Sequence, residues 1–298
     1  MDNQVIEYIV PLPTLFDKDL RVDNVGLEQL VKRILKLSKT SVDFMICDSI
    51  IGEQFSLELD ECVAIVNNLS KLTSNNIYLS INFNRLREFL SLIKRIDKNN
   101  ILYIIEVDEV VLNNTYSFTL LARTIFEHIP DKKIYIHILG KLNHELIEAI
   151  RETVRLLPEI NAIVIDCTRN AMETLINLLR ISIEVRRDFK IICYGDEGLL
   201  LQYLMPKCFG VIAPAITIAP EVFTQTPANP SYLTYKLTLL RGLYNYAKSM
   251  PGIVKLTLNI IDDKFKPYVR PPLTTEPTYL RDHIELTLKA LGIRLQRI

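Results

Sequence analysis

Eight short, almost continuously apolar segments alternate with stretches of helical periodicity, and this alternation limits the fold more than any other feature of the chain. The strand-like runs are Val5–Pro11, Ser41–Cys47, Ile77–Phe83, Ile101–Val107, Lys133–Leu139, Ala162–Cys167, Lys190–Tyr194 and Cys208–Ala213. Between them lie helical stretches at Asn24–Leu37, Glu58–Leu72, Leu86–Ile96, Tyr116–His128, His144–Leu157, Ala171–Val185 and Glu197–Leu204. Runs that are apolar at every position are those of parallel strands buried on both faces. Eight of them with seven intervening helices predict an α/β fold, a (β/α)8 TIM barrel rather than an open doubly wound sheet. A dinucleotide-binding sheet would also need Gly-x-Gly-x-x-Gly after its first strand, and none is present. After Ala213 the alternation stops. Ser231–Met250, Gly252–Ile260 and Thr275–Leu291 are helical in pattern, around a proline-rich loop at Lys266–Pro272. The expected organisation is a barrel over residues 1–222 and a C-terminal helical segment over 223–298, packed on the barrel.

Charge narrows the function classes. Lys plus Arg and Asp plus Glu each number 35, so the chain lacks the basic excess that draws proteins to nucleic acid or anionic membrane. No run of about 18 apolar residues is present to span a bilayer, and no secretory pattern opens the chain. A soluble cytoplasmic protein is expected. Five cysteines show no metal-type spacing, and Cys47, Cys167 and Cys193 sit in apolar runs. They read as small buried hydrophobes, with no metal site and no cofactor. Nine glycines are few for 298 residues. Loops with so little glycine are poorly suited to wrapping backbone around a small anion.

The sixth run, Asn161-Ala-Ile-Val-Ile-Asp-Cys-Thr168, ends in an acid. A doubly buried strand has no place for an unpaired carboxylate, so Asp166 belongs where the strand opens onto the barrel mouth. In such barrels the C-terminal strand ends carry the chemistry. Asp48, Glu53, Glu106, Asp108, Glu109, Asp196 and Glu197 fall at comparable places. Together they suit a hard cation such as Mg²⁺ or Mn²⁺. Solvated loops, helix N-termini and pairing with Arg85 or Arg169 account for them more simply, and helix starts alone suffice for Glu53, Asp196 and Glu197. His137 is the histidine nearest the predicted mouth. It reads as a structural residue, or as an acid/base partner of Asp166 from the adjacent strand.

Several motifs in order carry a resemblance. Ile9-Val-Pro-Leu-Pro-Thr14 and Leu20-Arg-Val-Asp23 precede the first helix. Ser49-Ile-Ile-Gly52 is followed by Phe55-Ser-Leu-Glu-Leu-Asp-Glu61. Tyr194-Gly-Asp-Glu197, Gly210-Val-Ile-Ala213, Ala219-Pro-Glu-Val222 and Arg270-Pro-Pro272 come later. In this order the chain resembles the dihydrodipicolinate synthase / N-acetylneuraminate lyase family, and most closely its archaeal 2-keto-3-deoxygluconate aldolase branch. The resemblance implies Schiff-base aldol chemistry on pyruvate. A lysine ends the sixth strand, a tyrosine on the fifth relays protons, and two threonines of a Gly-Thr-Thr-Gly loop hold the pyruvate carboxylate.

At the matching positions this chain departs from the pattern. Asp166 stands at the lysine position, Ile136 with His137 beside it at the tyrosine position, and Ile50 and Ile51 at the threonine positions. Ser49, Gly52, Gly195 and Asp196 complete the implied ligand-binding set. A one-residue shift on the fifth strand would offer Tyr135 as relay, and alternation along a strand reverses the facing; Tyr135 reads as structural. Lys141 reads as a solvated loop residue, and Lys190 opens its strand at the wrong end. The expectation is a barrel that has lost imine chemistry and binds a small 2-keto acid or sugar acid, or serves as a partner subunit of an active homologue. The alternative is a carbon–carbon lyase with altered, metal-assisted chemistry at Asp166. The resemblance further implies a homo-oligomer, a dimer or tetramer. Apolar Leu237, Leu239, Leu240 and Leu243 and Tyr246 form the helical stripe concerned, with Thr115 and Tyr116 near a tight contact.

Overall fold

The computed structural model describes residues 6–85, 100–108, 134–167, 172–184, 189–204, 210–224 and 229–295, with isolated positions between these segments. Strands β1 (Glu7–Pro11), β2 (Asp43–Ile46), β3 (Ile77–Asn82), β4 (Ile101–Asp108), β5 (Ile134–Leu139), β6 (Ile160–Asp166), β7 (Lys190–Tyr194) and β8 (Gly210–Ile212) pair in sequence order, all parallel. The sheet closes where Glu7, Tyr8 and Ile9 pair with Gly210, Val211 and Ile212. This is the expected (β/α)8 barrel.

Alternation along the strands divides the core into two. Ile9, Met45, Tyr78, Ile104, Tyr135, Val164, Ile192 and Ile212 pack inward and fill the lumen. The other face of each strand packs against the helices in one larger apolar cluster that also takes in the C-terminal helices. Both faces are buried, which is why the strands read as unbroken apolar runs. The N-terminal end of the lumen is plugged by polar groups. Lys190 lies 3.0 Å from Glu7, which also accepts the Tyr78 hydroxyl, and Tyr135 sits edge-on to Tyr78.

The helices start where local chemistry satisfies their first N–H groups. Asp23 accepts the Gly26 N–H at 2.9 Å to open α1 (Asn24–Leu37), whose Leu27, Leu30, Val31 and Ile34 are buried. A Glu58–Glu61 capping box opens α2 (Leu59–Leu72). Asn143 accepts the Leu146 N–H at 2.8 Å to open α3 (His144–Leu156). Helices α4 (Met172–Glu184), α5 (Gly198–Leu204), α6 (Pro214–Ile218) and α7 (Pro220–Phe223) complete the described part of the layer. The expected helices at 86–96 and 116–128 lie largely outside the described residues, as do Glu109, Thr115 and Arg169.

The C-terminal segment forms α8 (Pro230–Tyr246), α9 (Met250–Ile261) and α10 (Leu280–Ala290). Two boundaries differ from expectation. The first helix stops at Tyr246, not Met250, because Ser249 caps α9 through Gly252 N–H at 3.1 Å. The last starts at Leu280, not Thr275. Glu276 lies ahead of it and accepts the N–H groups of Lys248 and Ser249 at 2.9–3.0 Å, so the chain here serves the neighbouring helix start. Cys47, Cys62, Cys167 and Cys193 are buried thiols that form no disulfide with one another. Among the described residues no helix is long and apolar enough to cross a membrane.

Candidate site at the barrel mouth

The loop after β2 sets the geometry. Cys47 adopts a left-handed φ of 55°, a conformation uncommon outside glycine, and turns the chain sharply off the strand. Asp48, fully buried, then accepts from its own loop: Ile50 N–H at 2.8 Å, Ile51 N–H at 2.7 Å and Gly52 N–H at 3.1 Å. The preceding amide, Ser49 N–H, faces both oxygens of buried Glu106 at 3.2 Å. Four successive N–H groups thus converge on two carboxylates belonging to the protein. Such a run of amides is a ready-made anion nest, and here it is filled from within. Gln54 fixes the loop to the sheet by donating to Cys47 and Ser80 carbonyls, each at 2.7 Å, and accepting Asn82 N–H at 2.9 Å.

Beside this loop, His137 stacks on Tyr194 with ring centroids 5.1 Å apart and an 18° tilt. The Tyr194 hydroxyl donates to Asp48 at 3.3 Å, and His137 Nδ1 lies 3.7 Å from Glu106. Neither His137 nitrogen makes a hydrogen bond, Asp166 included. Burial, reinforced by the neighbouring Glu106 charge, pushes the Asp48 carboxyl up to about 6. Burial likewise raises the Tyr194 phenol well above its ordinary range.

A cavity of about 380 Å³ opens above these groups, a size in the range of small-molecule sites. Asp166, Tyr194, Gly195, Asp196 and Glu197 from the barrel and Ile50 from the β2 loop form one side. Thr234, Leu237, Thr238, Arg241, Tyr244 and Asn245 of α8 form the other. Asp196 accepts the Ala215 N–H at 2.7 Å, and its buried carboxyl is pushed up to about 7. Glu197 pairs with Arg241 at 3.5 Å. Among the described residues no lysine lines the cavity.

The structure brings Asp166, Ile50, Gly195 and Asp196 together at this cavity. Ser49 and Gly52 act through their amides, and Ile51 is buried away from it. Ile136 requires correction as the residue standing at the relay position. Its side chain points outward into the helix layer, because Tyr135 and His137 take the inward phase of β5. His137 therefore faces the lumen on the mouth side of Tyr135. Tyr135 belongs to the plug at the opposite end.

Glu53 also departs from its expected role. It makes no helix cap. It forms a buried ion pair with Lys255 of α9 and accepts the Arg270 N–H at 3.0 Å. Lys255 further donates to the Tyr268 carbonyl at 2.8 Å and lies over the Phe16 ring at 4.2 Å. Burial lowers its amine to about 8. Arg270 clamps Glu61 through both terminal nitrogens at 2.6–2.7 Å. Arg85 pairs with Glu88 and donates to the Gln54 and Leu57 carbonyls. The sequence reading missed Tyr194 and Lys255. The first was visible in phase, two residues beyond inward Ile192; the second carried no local signal.

No family model matches the chain. Curated relatives do. An uncharacterized DapA-like lyase of Pyrococcus abyssi is 24% identical over 95% of this chain and 97% of its own length. One from Thermofilum pendens is 30% identical over 37% of this chain and 39% of its own. Among solved structures, YagE of E. coli K12, a prophage protein of the dihydrodipicolinic acid synthase family in complex with pyruvate, superposes with a TM-score of 0.82 at 14% identity, covering 97% of this chain and 99% of that one. The dihydrodipicolinate synthase of Thermotoga maritima gives 0.79 at 15% identity, with 98% and 100% covered. Over nearly its whole length the chain is similar to DapA-like lyases, and it shares the closed barrel and C-terminal helices of the dihydrodipicolinate synthase structures.

Proposed function

We propose that this barrel has lost pyruvate Schiff-base chemistry and works as a non-catalytic ligand-binding or partner subunit within its lyase family. The observation that carries the reading is the filled amide nest. The N–H groups of Ser49, Ile50, Ile51 and Gly52 are consumed by Asp48 and Glu106. A keto-acid carboxylate arriving there would find no free donor, only two carboxylates. At about 4 Å each would repel it by roughly 4 kcal/mol at an effective dielectric near 20. Asp166 at the strand end supports the same reading, since a carboxylate has no nitrogen with which to form an imine. The nearby lysines do not substitute: Lys190 lies at the far end and Lys255 is held by Glu53 outside the cavity.

The alternative of cation-assisted lyase chemistry finds less support. Among the described residues no group of three or more His, Cys, Asp or Glu side chains is disposed to hold a metal ion. Assembly into a homo-oligomer, or with an active homologue, is part of the proposal. Tyr232, Tyr235 and Tyr246 of α8 are more than half exposed.

The test is incubation with pyruvate and borohydride, followed by intact-mass measurement. The expected result is an unmodified chain. A reduced pyruvate adduct on any lysine overturns the proposal.

A further inference from the structure

Building on the proposed assembly into a homo-oligomer, we infer that the outer face of α10 binds a second copy of this chain, the two α10 helices lying antiparallel about a two-fold axis. Of the stripe expected to mediate assembly, Leu237, Leu240 and Leu243 are buried in the core of their own chain. They have no surface left to offer a partner, so a second copy must meet another face.

Tyr279, His283, Leu286 and Ala290 follow one another at spacings of four, three and four residues. That spacing sets them on one side of a helix as a continuous seam. All four are exposed, Tyr279 at 74% and Leu286 at 65%. The other side of α10, with Leu280, Ile284, Thr287 and Leu288, is buried against the rest of the protein. Tyr246 at the end of α8 is itself 65% exposed. It packs edge-on to His283, with ring centroids 5.6 Å apart, and widens the seam. Tyr246, Tyr279 and Leu286 together leave on the order of 400 Å² of largely apolar surface in water. Each partner in a stable interface buries about 800 Å², so these three side chains supply roughly half of what a dimer needs. His283, Ala290 and the stems of the flanking charged residues add to it. Single exposed hydrophobics are ordinary on a monomer; a contiguous strip at this spacing marks an interaction surface.

The charges beside the seam fit the same chain reversed. Asp282 lies four residues before Leu286 and Lys289 three residues after it, both on the same flank of the helix. Two turns separate them, too far for them to pair with each other. Among the described residues neither has an ion pair within its own chain. When a second α10 is laid antiparallel with the Leu286 side chains meeting at the centre, Asp282 of each copy faces Lys289 of the other. The two-fold axis makes that match twice. A parallel arrangement in register would set like charges together, and a foreign partner would not require an acid and a base spaced to satisfy their own reversal. The apolar seam carries the affinity, and the exposed charge pairs, individually weak, fix direction and register.

Sedimentation velocity on the full chain tests this. The native chain is expected as a dimer or a larger even-numbered assembly. Leu286→Glu, which puts a carboxylate at the centre of the seam, is expected at half the native mass. Circular dichroism checks that each variant is folded. Asp282→Lys or Lys289→Asp alone sets like charges opposite each other twice, and each is expected to dissociate severalfold more readily at low salt. An equimolar mixture of the two variants joins a basic flank to an acidic one and is expected to recover the native mass. A monomeric native chain overturns this surface and the proposed homo-oligomer together. Native mass in folded L286E overturns the surface alone, as does a mixture no more associated than its two components. The borohydride experiment decides the loss of imine chemistry separately, whatever the mass.

Discussion

Asp48 Oδ1 accepts the Ile51 N–H at 2.7 Å, so a side chain of the β2 loop fills the anion site its own backbone creates. Replacing Asp48 with alanine frees the Ile50, Ile51 and Gly52 amides. Each unsatisfied buried donor costs roughly 1–3 kcal/mol, so D48A is expected to lower the urea midpoint markedly. The same variant is expected to gain what the native chain lacks: stabilisation by millimolar acetate or pyruvate in a thermal melt. Equal responses of native chain and variant would mean that the nest is not the barrier.

Gly52 is held to glycine by the same geometry. A Cβ there would lie 2.5 Å from the Asp48 nitrogen and 2.9 Å from the Cys47 nitrogen. These are backbone atoms that cannot rotate aside. Gly52→Ala is expected to cost roughly 1–3 kcal/mol, the usual price of overpacking. It should also release part of the block to acetate, because the loop must lift off Asp48. Denaturant melts with and without acetate read both effects.

The Glu53–Lys255 pair joins the β2 loop to α9 across 202 residues of sequence. Removing one partner leaves a buried charge. Lys255→Met is therefore expected to destabilise by about 3–5 kcal/mol. The double variant K255M/E53Q should lose less than K255M alone, since no unpaired charge remains. Chemical denaturation of the four proteins in the cycle measures the coupling. Additive losses would show that Phe16, Tyr268 and Arg270 hold this corner without the ion pair.

The eight strands were legible because two-sided burial makes a strand apolar at every position. That same property hid the facing of β5. In Ile134-Tyr-Ile-His-Ile both phases are compatible with a core, so periodicity could not decide between Ile136 and His137. Lys255 lies in an apolar helix with nothing nearby to mark it, and its partner comes from the other end of the chain. Asp48 was visible as a mouth acid. Its role depends on the left-handed Cys47 backbone, which no residue type announces.

Stability is expected to fall as pH rises from 5 to 8. Asp48 and Asp196 have folded-state values of about 6 and about 7, above the ordinary 3.8. The folded chain thus holds protons that the unfolded chain has released, and stability declines with pH until both groups are ionised. At 1.36 kcal/mol per unit, each contributes on the order of 3–4 kcal/mol across its window. The carboxyl of Asp196 is opposed by Glu197 and favoured by Ala215 N–H and Tyr244, so D196N should flatten the upper part of the slope. Urea midpoints at pH 5, 6, 7 and 8 test this; a rising trend in the native chain contradicts it.

Restoring the amine alone should not restore the chemistry. In Asp166→Lys the new ammonium would face Asp196 and Glu197 on the cavity wall, with Asp48 and Glu106 nearby. Carboxylates favour the charged form, holding the amine protonated and poorly nucleophilic. The keto-acid carboxylate would still meet the filled nest. D166K is therefore expected to give no reduced pyruvate adduct on borohydride treatment near neutral pH. D166K combined with Asp48→Ala removes a nearby negative charge and opens three amides to the substrate, so trapping should emerge there first, and rise with pH as the amine deprotonates. Trapping by D166K alone, at a rate equal to the double variant, would show that the missing lysine was the whole of the loss and that Asp48 plays no part in it.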